Sequence, residues 1–448
     1  MHDADTDLAR TLRLFPATNI VVADMIGAGI FTTSGLLLLE LGSPKLMIAL
    51  WVGGGILALS GALCYGALGA AMPRAGGEYA YLSELFHPVL GFLSGWVSFF
   101  AGFSAPLAAS SLGFSEYLAS AFPSLGAAGN ADLLKKTIAL TVIAALALVH
   151  LRGIVFGARI QNYLTVGKVL LIVALIAVGF TVGQGDLGNF RARIAVDTPD
   201  ASWRVIGLSL MWIMFAYSGW NASGYIGSEI QAPRRNLPLS LILGTGIVLV
   251  LYVCLNVLFV YAVSPGEMQG TIAVGGLAAS HLFGPAAERL ISLVVAFALL
   301  SAVSALIILG PRVYYAMAKD GYFFKSVANV HPIHRVPSTA IMLQCLIAGI
   351  MVLSGTFDQI LTYMGFCLGI FPILAVLGVF RLSLGHTGLF QSALYILAAL
   401  VFASVSLAIL VLAYLERPVE SSIALVTVAV GVPFYLVFAK AKREESAR

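Results

Sequence analysis

The stretch Ala23-Asp24-Met25-Ile26-Gly27-Ala28-Gly29-Ile30-Phe31 decides how this chain folds. It sits inside an apolar run, 15–39, whose single charge is Asp24. Glycine is entropically costly within a helix and exposes backbone. In a bilayer, exposed backbone persists only where it is buried in protein or lines a water-filled cavity. A second stretch of the same kind, Phe215-Ala216-Tyr217-Ser218-Gly219-Trp220-Asn221, follows, with 191 residues from Gly27 to Ser218. Paired interruptions in two halves of a membrane chain point to the substrate site of a secondary transporter.

Composition supplies the membrane. A hydrophobic share of 60% against 10% charged, over 448 residues, excludes a soluble globular chain. Seven windows hold no Asp, Glu, Lys or Arg: 46–73, 88–115, 205–228, 236–266, 290–311, 336–357 and 359–380. Each exceeds the roughly 20 residues that a helix needs to cross the hydrocarbon core. Adding 15–39, 137–151, 155–184, 387–415 and 421–439 predicts an all-α membrane protein of about twelve crossings in one domain, 1–448. The weakest window is 137–151, only 15 residues between Lys136 and Arg152. Its flanking lysines would have to snorkel.

An even number of crossings puts both termini on one side. Loops on that side then carry sixteen of the 25 Lys and Arg residues and the opposite loops eight, Lys168 being the one inside a span. The positive-inside rule predicts cytoplasmic termini in a cell (inner) membrane. The net charge of +4 is therefore topology, and no nucleic-acid partner is expected. Met1–Arg10 is acidic rather than basic, so no cleavable signal peptide is read. Cys64, Cys254, Cys345 and Cys367 all fall within windows, which suggests no disulfide framework, and no Cys/His cluster suggests a metal. No cofactor is expected. The longest loops, near 120–136, 184–203 and 265–289, are too short to hide an extramembrane catalytic module.

The windows divide as 15–184, 203–382 and 387–440: five spans, five more, and two additional helices. Corresponding starts are offset by 190 residues (46 to 236), 202 (88 to 290) and 199 (137 to 336). Even spacing alone would give similar figures; the break in the first member of both halves sharpens the match. Five is odd, so the second half enters the membrane inverted. Pro106 and Pro372 should kink the third and tenth spans. Pro233 and Pro238 mark the turn after the sixth. Pro73 with Gly76-Gly77 opens a short cytoplasmic segment.

At the first break, a helix restarting after Gly29 presents free N–H groups and the positive end of its dipole. Gly27, Ala28 and Gly29 thus form a backbone cradle for a carboxylate. The half-helix before it ends in the carbonyls of Asp24, Met25 and Ile26. The sixth span ends its first half in those of Phe215, Ala216 and Tyr217. Carbonyls suit an ammonium and amides a carboxylate, which together describe a receptor for the zwitterion of an amino acid. The alternative for Gly27 and Gly29 is close helix packing; the matching break at Ser218-Gly219, followed by polar Asn221, favours the receptor.

These residues carry a resemblance. Ile26-Gly27-Ala28-Gly29-Ile30-Phe31 resembles the GxGIF-type first-helix signature of the amino acid–polyamine–organocation (APC) superfamily. Phe215–Asn221 and the following Glu229-Ile230-Gln231-Ala232-Pro233-Arg234-Arg235-Asn236-Leu237-Pro238 are similar to the sixth helix of its L-type amino acid transporter branch. So are Pro73-Arg74-Ala75-Gly76-Gly77-Glu78-Tyr79-Ala80-Tyr81 and Arg159-Ile160-Gln161-Asn162. The resemblance covers about 15–385. It implies a LeuT-like 5+5 inverted repeat with discontinuous helices 1 and 6, working by alternating access. It implies that the Gly27–Gly29 amides take the substrate carboxylate, that the carbonyls of Met25, Phe215, Ala216 and Ser218 take its ammonium, and that Phe215 closes over it. Ile26, Tyr217, Gly219 and Asn221 complete the expected substrate set. Ala28 stands where the family often has Ser. The cysteine that tethers animal relatives to a heavy chain is absent, so no such partner is expected.

Lys168 lies inside a span, nine residues beyond Arg159 and so about 13 Å along a helix, too far for simple snorkelling. It is either a packing lysine or, as the resemblance implies, an ammonium in the place of a sodium ion against the broken first helix, which means sodium-independent transport. Asp24 either satisfies local backbone at the break or takes part in coupling, pairing with Lys168 or binding a proton. Glu78, Glu229, Arg234 and Arg235 read as interfacial gate or topology residues, and Glu116 as interfacial. His87, His150, His281, His331, His334 and His386 read as solvated residues at span ends or in loops. Trp212, Trp220, Tyr217 and Phe103 read as core packing, with Trp220 and Tyr217 gaining weight because they flank the break. Small, uncharged Ala101–Ala105 and Ser301–Ala305 should wall the side-chain pocket, which favours a neutral amino acid.

The leading reading is a sodium-independent amino acid permease or exchanger, proton-coupled or exchanging, and not an enzyme. A polyamine or organic-cation carrier would use Asp24 instead of the cradle. A membrane transferase would need clustered Asp, His or Arg at one face and a sizeable loop; neither is present. A major-facilitator carrier would show two six-span halves and a large central loop, whereas the 230–238 connection is short.

Overall fold

The computed structural model describes residues 8–126, 130–192, 202–271, 274–354, 357–382 and 389–446. Arg193, His386, Arg448 and parts of the windows 336–357 and 387–415 lie outside the described residues. Nearly everything described is helix. The chain opens with α1 (Leu14–Met25), α2 (Gly29–Leu41) and α3 (Pro44–Ala71), then α4 (Glu78–Leu85) and α5 (Pro88–Val97). A π-helical turn, Ser98–Ser104, joins α5 to α6 (Ala105–Ala121), followed by α7 (Pro123–Gly126), α8 (Ala131–Leu151) and α9 (Ile154–Thr181). Next come α10 (Trp203–Ala216), α11 (Ala222–Tyr225), α12 (Pro233–Ala262), α13 (Pro265–Met268), α14 (Val274–Phe283) and α15 (Pro285–Lys319). The chain closes with α16 (Ser338–Ser354), α17 (Phe357–Leu377), α18 (Leu389–Glu416) and α19 (Pro418–Ser446). Among the described residues, strand-type pairing is confined to two single bridges, Leu12 with Ile230 and Ala75 with Ile226.

Among the described residues, ten spans are long and apolar enough to cross a membrane; Trp203–Ala216, Val274–Phe283 and Ser338–Ser354 are shorter apolar helices. Exposed Leu, Val, Ile and Phe side chains on α8, α9, α18 and α19 face outward, as a lipid-facing surface requires. Three expectations change. The helix at 137–151 begins at Ala131 and runs 21 residues. Its lysines lie in its first turns and are ion-paired, Lys135 to Glu116 of α6 at 2.7 Å and Lys136 to Asp132 of the same helix at 3.1 Å. The stretch 265–289, read as loop, contains α13 and α14. The third span does not simply kink at Pro106. Proline has no N–H for the Gly102 carbonyl, and the helix immediately before it widens into the π turn.

The first span is broken, as its glycines foretold. α1 stops at Met25, where Ile26 leaves helical geometry (φ −80°, ψ 82°), and α2 starts at Gly29. The sixth span breaks too: α10 stops at Ala216, and Gly219 adopts φ +99°, a conformation that favours glycine. The two breaks touch. A methyl group on Gly29 would lie 2.7 Å from Ala216 Cα, so only glycine permits this approach.

Candidate functional site

Two side chains hold the breaks open. Lys168, fully buried on α9, donates from Nζ to the carbonyls of Ala23 (3.0 Å) and Ile26 (2.9 Å). Asp24 is not among its described hydrogen-bond partners. Tyr252, on α12, directs its hydroxyl at the Met25 carbonyl (2.5 Å) and the Ala216 carbonyl (3.0 Å), the last residues of α1 and α10. A single hydroxyl therefore bridges both broken ends. Trp51 packs edge-on against Tyr252 and Tyr217 and fixes the ring. At the first break the Gly27 N–H folds back onto the Met25 carbonyl at 2.9 Å and the Phe31 N–H bonds the Ala28 carbonyl at 3.0 Å. The amides of Ala28 and Gly29 between them lack the carbonyl one turn earlier that a continuous helix would supply.

These ends face one cavity of about 130 Å³, on the order of ten times what a single water needs. Asp24, Met25, Gly27, Ala28, Gly29, Phe215, Ala216, Ser218, Gly219, Trp220 and Asn221 line it. The π turn contributes Ser98, Gly102 and Phe103, α15 gives Ala302 and Leu306, and α17 and α18 complete the wall with residues such as Phe371, Pro372, Phe402 and Ser406. The wall is mostly apolar, with polar groups at the breaks and the floor.

The floor is built on Glu78, which is buried rather than interfacial. Its Oε1 accepts from Tyr65 Oη (2.8 Å), Asn221 Nδ2 (2.7 Å) and Tyr225 Oη (3.1 Å), and its Oε2 from Ser94 Oγ (3.4 Å). Burial pushes this carboxyl above the usual carboxylate range, and the four hydrogen bonds oppose that. Glu229 is not interfacial either. It forms a bidentate pair with Arg312 (2.7 and 3.1 Å) that is almost fully sealed from solvent. Beside it the Leu12 N–H bonds the Glu229 carbonyl at 2.9 Å, fastening the segment before α1 to the exit of the sixth span. Arg234 and Arg235 are exposed, as read. Among the described histidines His150 is the exception: it is buried, with Nε2 2.8 Å from Ser304 Oγ.

Most expected site residues line the cavity, but Ile26, Tyr217 and Lys168 do not. Ile26 is fully buried and its carbonyl is taken by Lys168. Tyr217 turns away, its hydroxyl donating to the Trp51 carbonyl at 3.0 Å. The carbonyls of Met25 and Ala216, expected to await an ammonium, already accept from Tyr252. That of Phe215 accepts from the Ser218 N–H at 2.9 Å. Glu78, Tyr225, Tyr252 and the α17–α18 wall were missed. A Glu beside Gly76-Gly77 and a Tyr within an apolar span were the available signals, and both read equally well as interface residues.

Helix breaks facing a buried cavity describe a carrier, and comparison with known proteins says which kind. A model of the amino acid permease family matches residues 12–437. The chain belongs to this family. Within the APC superfamily it is L-type amino acid transporter-like. The b(0,+)-type amino acid transporter 1 of Mus musculus is 29% identical over 375 residues, covering 84% of this chain and 76% of that one. The serine/threonine exchanger SteT of Bacillus subtilis (strain 168) is 30% identical over 388 residues, 85% of each. The Asc-type amino acid transporter 1 of Mus musculus is 28% identical over 441 residues, 96% of this chain and 81% of the relative. This permease is thus a multi-pass membrane protein that transports amino acids, not an enzyme.

Proposed function

We propose that this permease carries neutral amino acids without sodium, by alternating access around the two helix breaks, either coupled to protons or in exchange. The observation that carries the reading is that both breaks open onto one cavity. The amides of Ala28 and Gly29 receive the α-carboxylate. The Ser218 carbonyl and the Asp24 carboxylate on the same wall receive the ammonium, since the carbonyls of Met25, Ile26, Phe215 and Ala216 already accept hydrogen bonds. Lys168 holds two carbonyls of the first break by hydrogen bonds, as a bound cation would, which removes the need for sodium there. Asp24, whose carboxylate makes no hydrogen bond or close ion pair among the described side chains, is the candidate for a coupled proton.

Twelve crossings arranged as 15–184, an inverted 203–382 and the pair within 387–440 accommodate every apolar window. Both termini are cytoplasmic, the membrane is the inner (cell) membrane, and no heavy chain is needed.

The test is uptake of labelled neutral amino acids into proteoliposomes containing only this chain. Uptake that persists when sodium is replaced by potassium supports the reading; strict sodium dependence refutes it. A pH profile unchanged by Asp24→Asn removes the coupling role of Asp24. A second reading, a polyamine or organic-cation carrier, draws on Asp24 and Glu78 sharing the cavity. Stronger competition by putrescine than by any amino acid would establish it.

A further inference from the structure

The side-chain amide of Asn221 has only one way to sit. It lies on the cavity wall, 8% exposed, three residues beyond Ser218. Both of its N–H bonds are committed: Nδ2 donates to Glu78 Oε1 at 2.7 Å and to Tyr225 Oη at 3.0 Å. A flipped amide would press Oδ1 against Glu78 Oε1 at the same short distance, acceptor against acceptor. Oε1 also takes the hydroxyls of Tyr65 and Tyr225, so it is an acceptor three times over. A proton on this carboxyl would sit on Oε2, towards Ser94, and leave the arrangement unchanged. The orientation is therefore independent of the charge on Glu78. Asn221 Oδ1 receives no hydrogen bond from the described residues and is not sealed off, which leaves it as an acceptor aimed into the cavity.

We propose that Glu78 is a positioning residue that fixes Asn221 Oδ1 as a side-chain acceptor, so that this permease selects short neutral amino acids bearing a hydrogen-bond donor, such as a hydroxyl. The inference rests on the reading above, in which backbone groups of the breaks and Asp24 take the substrate's two charged poles. That leaves Asn221 for the side chain. A site built around a buried polar group discriminates strongly against a ligand that leaves the group unpaired.

Thermal stabilisation of the purified full chain, titrated with L-serine, L-alanine and O-methyl-L-serine, tests this, because a specific ligand raises apparent stability. Serine donates a hydrogen bond, O-methylserine only accepts, and alanine does neither. We expect serine to reach half-effect at a concentration about tenfold lower than either analogue, which is about 1.4 kcal/mol of discrimination. Glu78→Gln keeps one acceptor oxygen for the three donors and preserves the ratio. Glu78→Leu frees the Asn221 amide and collapses it towards one. If Glu78→Leu is not monodisperse, Asn221→Ala must erase the preference instead. Equal half-effects for serine and O-methylserine in the wild type, or a ratio that survives Asn221→Ala, overturn the inference. So does stabilisation by other neutral amino acids but not by serine, which leaves the transport reading intact. Failure of every amino acid to stabilise the protein would sink both.

Discussion

Gly27 and Gly29 are two residues apart, yet they do different work. A methyl on Gly29 meets Ala216 Cα at 2.7 Å and Cβ at 2.8 Å, whereas one on Gly27 meets nothing within 4 Å. Overpacking against backbone costs about 1–3 kcal/mol. Gly29→Ala should lower the melting temperature and transport together, while Gly27→Ala should fold as stably as the wild type. Equal melting temperatures for all three proteins would contradict the close approach. Lys168 makes a sharper demand. Its ammonium is the described hydrogen-bond partner of the Ala23 and Ile26 carbonyls. Removing it leaves two buried acceptors unpaired, each costing about 1–3 kcal/mol. Lys168→Ala should reduce uptake in proteoliposomes at least tenfold, and near wild-type uptake would show that the lysine merely packs.

Elements reveal which parts of this architecture a sequence can disclose. The breaks were legible because a glycine-bearing interruption recurs in the first member of both halves, where one alone would read equally well as close helix packing. So were the apolar windows, each of which holds helix. What stayed hidden are partnerships across the chain. Glu78 and Asn221 are 143 residues apart, and His150 and Ser304 are 154 apart, and no local pattern announces either pair. The π turn at Ser98–Ser104 was hidden too, since proline at 106 reads only as a kink. The Glu229–Arg312 pair joins the exit of the sixth span to α15, and it offers a measurable consequence. Breaking a buried ion pair from one side costs about 3–5 kcal/mol, whereas replacing both members with apolar residues is often close to neutral. Arg312→Leu and Glu229→Leu should each destabilise the protein severely, and the double variant should recover much of the loss. Additive losses in the double variant would show that the two charges are not paired in the folded protein.

For the whole molecule, the proposed topology combines an even number of crossings with an excess of positive charge on one set of loops, which would put both termini on the cytoplasmic face. Tags at the N- and C-terminus should be equally inaccessible to an impermeant reagent in intact cells and equally accessible after permeabilisation. Labelling of one tag alone in intact cells would require an odd count. The bridges Leu12–Ile230 and Ala75–Ile226 and the ion pair Arg74–Asp320 at 3.1 Å tie together the segment before α1, the 73–77 turn, the exit of the sixth span and the end of α15. The proposed substrate grip is two sets of unwound peptide groups sharing one amino acid. Cryo-electron microscopy of the protein in lipid nanodiscs with a saturating neutral amino acid tests this most directly. The account predicts density with its carboxylate on the Ala28 and Gly29 amides and its ammonium beside Asp24 and the Ser218 carbonyl. Uninterrupted helix through either break, or ligand density away from both, would contradict it.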